Sequence, residues 1–285
     1  MQGGTRAAMT RWLAVAALVL CATPAPAQTP RQAPQEGYGL HDVRDVGPFT
    51  IERWVSAARS EISGAGMCDC LTVVYEGSRH LITFGTPGTL AAYTLADSTG
   101  TDVNGDGLPD VVVSAWSGGA HCCYSSGVYS VGEEDVKPVL ALATGNCGPG
   151  EFEDLDGDGT REFVVCDDRF ANMYCSFADS PFPRVIYSYD SSRGVYVVDT
   201  PRFASHFREQ LAGALDEAQT WLSESGGLDV GLDKCRLLRP VLGLMYSGRF
   251  NDGVVLIRAL YRGGDRDEFE RDTVERVRQS PLWVR

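Results

Sequence analysis

The chain has 285 residues, of which 44% are hydrophobic, and its 38 acidic and 25 basic residues give a net charge of −13. This length accommodates one large domain or two modest ones. An excess of carboxylates repels nucleic acid and anionic membranes and attracts cations, which excludes nucleic acid as an expected partner.

Residues 1–27 have the pattern of a secretory signal peptide. Basic residues precede an apolar run at 12–22, and small residues at 25–27 form a cleavage pattern. The run is shorter than the about 20 apolar residues of a membrane-spanning helix. Met9 is an alternative start, and Cys21 could be a lipoprotein cysteine, although the bulky leucine before it disfavours this. We predict an exported protein, periplasmic or extracellular, without a membrane span.

The remaining chain divides into a lead-in and two regions. Residues 28–40 are rich in Gln and Pro, which predicts a flexible lead-in, and a short helix is predicted over 51–62. The predicted fold class is α+β. An antiparallel β domain covers 41–200, where β-branched and aromatic runs alternate with turns, and a small all-α domain covers 201–285, where apolar residues recur at helical spacing.

The individual elements follow from these patterns. Strands are predicted at 71–75, 81–84, 110–116, 127–131, 163–166, 185–189 and 195–198. Helices are predicted at 203–222, 232–246, 254–261 and 267–279. Pro240 should kink or divide the second helix, because proline removes a backbone donor and clashes with the preceding turn.

Eight cysteines follow the signal region, an even number that suits an oxidising compartment. They are Cys68, Cys70, Cys122, Cys123, Cys147, Cys166, Cys175 and Cys235. Adjacent strand residues point to opposite faces, so Cys122 and Cys123 are expected to bond different partners.

Two acidic loops with one pattern are the strongest functional signal. Loop 1 is 102–110 and loop 2 is 154–162. Each has oxygen side chains at positions 1, 3, 5 and 9 and glycine at position 6. With a backbone carbonyl at position 7, such oxygens can surround calcium, and the glycine permits a sharp turn. An EF-hand would need glutamate at position 12, where these copies have Val113 and Val165, so the loops are not EF-hands.

Residues 102–113 and 154–165 resemble the FG-GAP and VCBS repeats of integrin-like β-propellers. The resemblance implies one calcium ion per copy, bound in a β-hairpin of a propeller-blade-like unit. Because only two copies occur, we expect two or three such units and not a closed propeller. The implied ligands, with carbonyls from Leu108 and Thr160, are Asp102, Asn104, Asp106, Leu108 and Asp110, then Asp154, Asp156, Asp158, Thr160 and Glu162.

The sequence favours a non-enzymatic exported module that binds calcium and a protein or cell-envelope component. It contains no serine-hydrolase, zinc-protease or phosphate-loop motif. Calcium and disulfides should stabilise the β domain. The alternative is an exported enzyme, or a soft-metal or thiol-redox protein, that uses His121, Cys122 and Cys123.

Overall fold

The computed structural model describes residues 31–59, 66–119, 122–227 and 229–284. The predicted signal peptide and His121 lie outside the described residues. No described helix has the length and apolar character needed to cross a bilayer.

In the described part of the chain, twelve strands form three antiparallel sheets of four strands each. Every sheet follows chain order, so neighbours in sequence are neighbours in the sheet. Sheet 1 contains β1 (Tyr38–Val46), β2 (Phe49–Ser56), β3 (Cys70–Glu76) and β4 (Arg79–Phe84). Sheet 2 contains β5 (Ala92–Leu95), β6 (Asp110–Trp116), β7 (Tyr124–Val131) and β8 (Val136–Gly145). Sheet 3 contains β9 (Glu151–Glu153), β10 (Glu162–Cys166), β11 (Arg184–Asp190) and β12 (Val195–Val198).

The helical region follows β12 directly. A 3-10 helix, Thr200–Phe207, leads into the first of the four α-helices found among the described residues. They are α1 (Arg208–Ser225), α2 (Val230–Tyr246), α3 (Phe250–Leu260) and α4 (Arg266–Arg278). Pro240 lies inside α2 without dividing it. The predicted α+β class is confirmed, as are the antiparallel strands and the change from strand to helix near residue 200.

The helix predicted over 51–62 is wrong, because residues 49–56 form β2. This strand pairs with β1 on one side and β3 on the other. Six of its eight residues are buried, so its apolar residues do not alternate and their spacing imitates the face of a helix. Strand β1 begins at Tyr38, inside the predicted lead-in.

Sheets 2 and 3 share the largest apolar core with the helices. Val112, Phe163 and Tyr187 from the strands lie in one buried cluster with Leu238 and Ile257 from the helices. Burial of this apolar surface is the main stabilising contribution expected for the fold. That residues 41–200 and 201–285 are separate domains, each able to fold by itself, stays a prediction.

The eight cysteines that follow the predicted signal peptide all form disulfides. The pairs are Cys68–Cys70, Cys122–Cys123, Cys147–Cys166 and Cys175–Cys235. The expectation that Cys122 and Cys123 bond different partners is wrong. Both precede β7, which begins at Tyr124, so the alternation of side chains along a strand does not apply to them. In this state none of the eight offers a thiolate to a soft metal.

A buried carboxylate joins sheet 3 to α2 and the C-terminal segment. Asp167, just after β10, is 1% exposed. Its Oδ2 accepts hydrogen bonds from the Tyr246 hydroxyl, at 2.6 Å, and from the Ser280 hydroxyl, and its Oδ1 accepts one from the Arg169 amide. These bonds compensate for the burial of the charge.

We predict that Tyr246→Phe lowers the free energy of unfolding by about 1.5 to 3 kcal/mol, because it removes one bond to a buried charged group. Urea denaturation measures this loss. Tyr129→Phe is the matched control, since the Tyr129 hydroxyl bonds no described residue, and it should change the value by less than about 0.5 kcal/mol. Equal losses in the two variants would contradict the role of the Asp167 contact.

Candidate metal centre

The two acidic loops occupy equivalent places in sheets 2 and 3. Loop 1 connects β5 to β6, and loop 2 connects β9 to β10, so each joins the first and second strands of its sheet. The position-9 carboxylates, Asp110 and Glu162, are the first residues of β6 and β10. The sequence repeat therefore corresponds to a structural repeat.

Glycines give both loops the same backbone turn. Gly105 and Gly107 in loop 1 have φ of 75° and 84°, and Gly157 and Gly159 in loop 2 have φ of 78° and 90°. Side chains other than glycine rarely adopt such angles. Position 4 therefore requires glycine as much as position 6 does.

The hydrogen bonds of the two loops also match position by position. The position-1 carboxylate accepts the amides of both glycines, and the position-9 carboxylate accepts the amide of position 2. In loop 1 the donors lie 2.7 and 2.8 Å from Asp102 and 2.8 Å from Asp110. In loop 2 they lie 2.7 and 3.1 Å from Asp154 and 2.8 Å from Glu162. Glutamate at position 9 of loop 2 thus accepts the same hydrogen bond as aspartate at position 9 of loop 1.

Loop 2 brings three of its predicted ligands together. Carboxylate oxygens of Asp154, Asp156 and Glu162 lie within 4.8 Å of one another, and among the described residues no other three acids, histidines or cysteines converge in this way. Asp158 is outside the group, and its Oδ1 accepts the Thr160 amide at 2.8 Å.

The loop 1 acids do not converge as closely. Here the amide side chain of Asn104 donates to Asp106 at 3.1 Å, and the Ser130 hydroxyl donates to the same carboxylate oxygen at 2.8 Å. The Leu108 amide donates to the other oxygen of Asp106 at 2.9 Å, as Thr160 does in loop 2.

Asp110 has an unsatisfied oxygen in the protein interior. The residue is 0% exposed, and its Oδ1 has no hydrogen-bond partner among the described residues. Burial raises the pKa of Asp110 to about 7, and the nearby carboxylates of Asp106 and Asp102 add to the rise, while the Val103 amide opposes it. Such an oxygen is costly to bury unless a proton or a cation compensates it.

Glu162 is the counterpart of Asp110 in loop 2 and is 1% exposed. Burial raises its pKa, and the carboxylates of Asp156 and Asp158 act in the same direction. At the first residue of β10, as at that of β6, burial and neighbouring acids therefore make the ionised carboxylate costly unless a cation compensates it.

The two loops contact each other, which the sequence pattern did not indicate. The Arg161 amide donates to the Val103 carbonyl at 2.9 Å, and the Tyr196 hydroxyl lies 3.3 Å from the Val103 carbonyl and 3.0 Å from the Arg161 carbonyl. A Cβ atom added at Gly105 would lie 2.8 Å from Thr160 Oγ1. The loops line one surface cavity of about 370 Å³.

Arg202, from the 3-10 helix, is a second residue that the sequence analysis missed. Its guanidinium forms an ion pair with Asp156 and lies 4.0 Å from Asp158 and 3.9 Å from Asp199. Loop 2 thus has a cationic partner from the helical region. A lone arginine about 40 residues from the loop carries no pattern by which the sequence could identify this role.

The chain is similar to parts of two longer proteins. It is 33% identical over 111 residues to a probable thylakoid lumen protein of Synechocystis, covering 38% of this chain and 33% of that protein. It is 29% identical over 140 residues to an uncharacterized protein of Sinorhizobium fredii, covering 47% of this chain and 21% of that protein. The chain therefore spans about a third of the length of the Synechocystis protein and about a fifth of the length of the Sinorhizobium protein. No family model and no solved structure matches it.

We predict that Tyr196→Phe destabilises the protein by roughly 1 kcal/mol, because the mutation removes the hydroxyl that connects the two loops. Thermal and urea unfolding of the variant, compared with Tyr129→Phe, measure the loss. A variant as stable as that control would show that the hydroxyl contributes nothing to the contact between the loops.

Proposed function

We propose that this protein is an exported, disulfide-stabilised module that binds calcium at both loops, has no catalytic role, and binds a protein or a cell-envelope component. The observation that carries the calcium site is Asp110 Oδ1, a buried carboxylate oxygen that no described residue hydrogen-bonds and that lies beside other oxygen ligands. A hard cation supplies the missing partner.

The donor chemistry of both loops fits calcium. Calcium prefers six to eight oxygen ligands, including carboxylates, amides and backbone carbonyls. When bound, the ion would neutralise carboxylates that otherwise repel one another, so that binding contributes to folding. The residues proposed to hold it are Asp102, Asn104, Asp106, Leu108 and Asp110 in loop 1, and Asp154, Asp156, Asp158, Thr160 and Glu162 in loop 2.

Three observations support export. The N-terminal sequence has a signal-peptide pattern, eight cysteines are paired, and one similar protein is named for the thylakoid lumen. Disulfides persist mainly in oxidising compartments outside the cytosol. Calcium sites of modest affinity suit extracellular modules, where the ion is abundant.

The propeller-blade interpretation belongs to the same proposal. Each sheet has four antiparallel strands in chain order, and loops 1 and 2 occupy the same connection in successive sheets. This supports the resemblance to integrin-like repeats, with three blade-like units. A soft-metal site would need free thiolates at Cys122 and Cys123, which form a disulfide, whereas a thiol-redox role would use this disulfide as its oxidised state.

We predict that calcium stabilises the wild-type protein and that Asp110→Asn removes the part of this stabilisation that comes from calcium bound at loop 1. With a dissociation constant on the order of 0.1 to 1 mM per site, 10 mM calcium should add about 1.5 to 3 kcal/mol per site. Calorimetry and urea unfolding, in calcium and in chelator, measure binding and stability. In chelator, Asp110→Asn should be at least as stable as the wild type, because it removes a buried charge.

Asp267→Asn is the matched control, because Asp267 is an exposed residue of α4 that pairs with its neighbour Arg266 and belongs to neither loop. It should leave the calcium response unchanged. An Asp110→Asn variant that keeps the full response, or a wild type that does not respond, would refute the loop 1 site, and Glu162→Gln applies the same test to loop 2.

We predict that Arg202→Gln strengthens calcium binding at loop 2 by up to about fivefold, since the arginine competes for Asp156 and an exposed ion pair contributes only about 0.2 to 1 kcal/mol. Titration calorimetry of the Asp110→Asn protein, with and without Arg202→Gln, isolates loop 2. Weaker binding in the double variant would show that Arg202 supports the site and does not compete with the ion.

A further inference from the structure

A second feature, independent of the loops, lies in the helical region. The 3-10 helix and α1 enclose a cavity of about 500 Å³ with α2 and the segment 180–184. We call it the α1–α2 pocket. Its volume is within the range of small-molecule sites, about 300 to 1,000 Å³.

The pocket exists because α1 covers its neighbours incompletely. The sequence places Phe203, Phe207, Leu211 and Leu215 on one face of this segment. Only Phe203 is fully buried, and the other three are half-buried. An apolar face of this kind is stabilised when a further apolar group covers it.

The walls combine apolar side chains with small residues. Phe182, Phe207, Leu211 and Leu242 supply apolar surface, whereas Ala214 is among the small residues that leave the space open. A ligand that fills this space therefore needs an apolar body.

One charged group in the wall is free to bind an anion. Arg184, at the start of β11, is half-buried and has its guanidinium carbon 4.7 Å from the centre of the Phe207 ring. It forms no ion pair with any described carboxylate, although the chain as a whole is strongly acidic. Stacking uses the face of the guanidinium, and its N–H donors lie in the plane, where they suit a carboxylate.

The other arginine of the pocket already has partners. Arg239 lies 3.6 Å from the Glu217 carboxylate and donates to the Asp179 carbonyl at 3.4 Å. Glu217 also forms a closer ion pair with Arg236, at 2.8 Å. The net positive charge of the pocket therefore resides mainly at Arg184.

We propose that the α1–α2 pocket binds a small amphipathic carboxylate, with its apolar body between α1 and α2 and its head group on Arg184. The anionic head complements the unpaired guanidinium, and the body covers the half-buried face of α1. This site would give the protein a ligand of its own, apart from calcium.

Titration calorimetry of the full-length protein in chelator tests the proposal with two probes of equal chain length. Decanoate, below its micelle concentration, should bind saturably with one molecule per chain. Decyltrimethylammonium carries the opposite charge and should bind at least about 10-fold more weakly, because a charge-assisted hydrogen bond is lost. No saturable binding of decanoate, or equal binding of the two probes, would overturn the proposal.

Variants locate the site. Arg184→Gln should weaken decanoate binding about 10-fold, and Ala214→Phe should abolish it by filling the pocket. Arg44→Gln, an exposed position on β1, is the matched control and should bind as the wild type does. Circular dichroism checks folding, and if Ala214→Phe does not fold, Arg184→Gln decides. Wild-type affinity in a folded Arg184→Gln protein would place the ligand elsewhere and overturn the proposal.

Discussion

The structure depends on the burial of two carboxyl groups where β6 and β10 begin. Asp110 and Glu162 are almost inaccessible, and each accepts one backbone amide from its own loop. Aspartate or glutamate at such a position is costly unless hydrogen bonds or a cation compensate it. The backbone of each loop is arranged around this requirement, because glycines with positive φ direct successive amides toward carboxylates.

The contact between the loops extends this constraint to the neighbouring sheets. Val103 donates to Asp110 and accepts from Arg161, which precedes Glu162. Tyr196 of β12 contacts the carbonyls of both Val103 and Arg161, and burial raises the pKa of its hydroxyl, so that it stays a neutral donor. Two hydrogen bonds therefore connect the buried carboxylate of loop 1 to the backbone of loop 2. On the proposed function, this contact gives a physical route for coupling between two calcium ions.

The helical region is attached to the sheets by polar contacts as well as by the apolar core. Arg202 contacts loop 2, Asp167 bonds α2 and the C-terminal segment, and the Cys175–Cys235 disulfide joins the segment before β11 to α2. These attachments leave α1 as the least buried helix, with Ala218 its one fully buried residue. Incomplete packing of α1 is the physical origin of the pocket proposed to bind a carboxylate.

The sequence by itself determined the α+β class, the antiparallel strands, the four α-helices and the repeated acidic loops, because these features depend on local periodicity, turn residues and ligand spacing. It misassigned β2 as a helix, since a central strand loses the alternation that identifies strands at a surface. Only the tertiary structure decided that Cys122 pairs with Cys123, that the two loops meet at Tyr196, and that Arg202 and Arg184 face an acidic loop and an apolar pocket. Those relations join residues distant along the chain or depend on the course of a connecting loop, and local pattern contains no information about either.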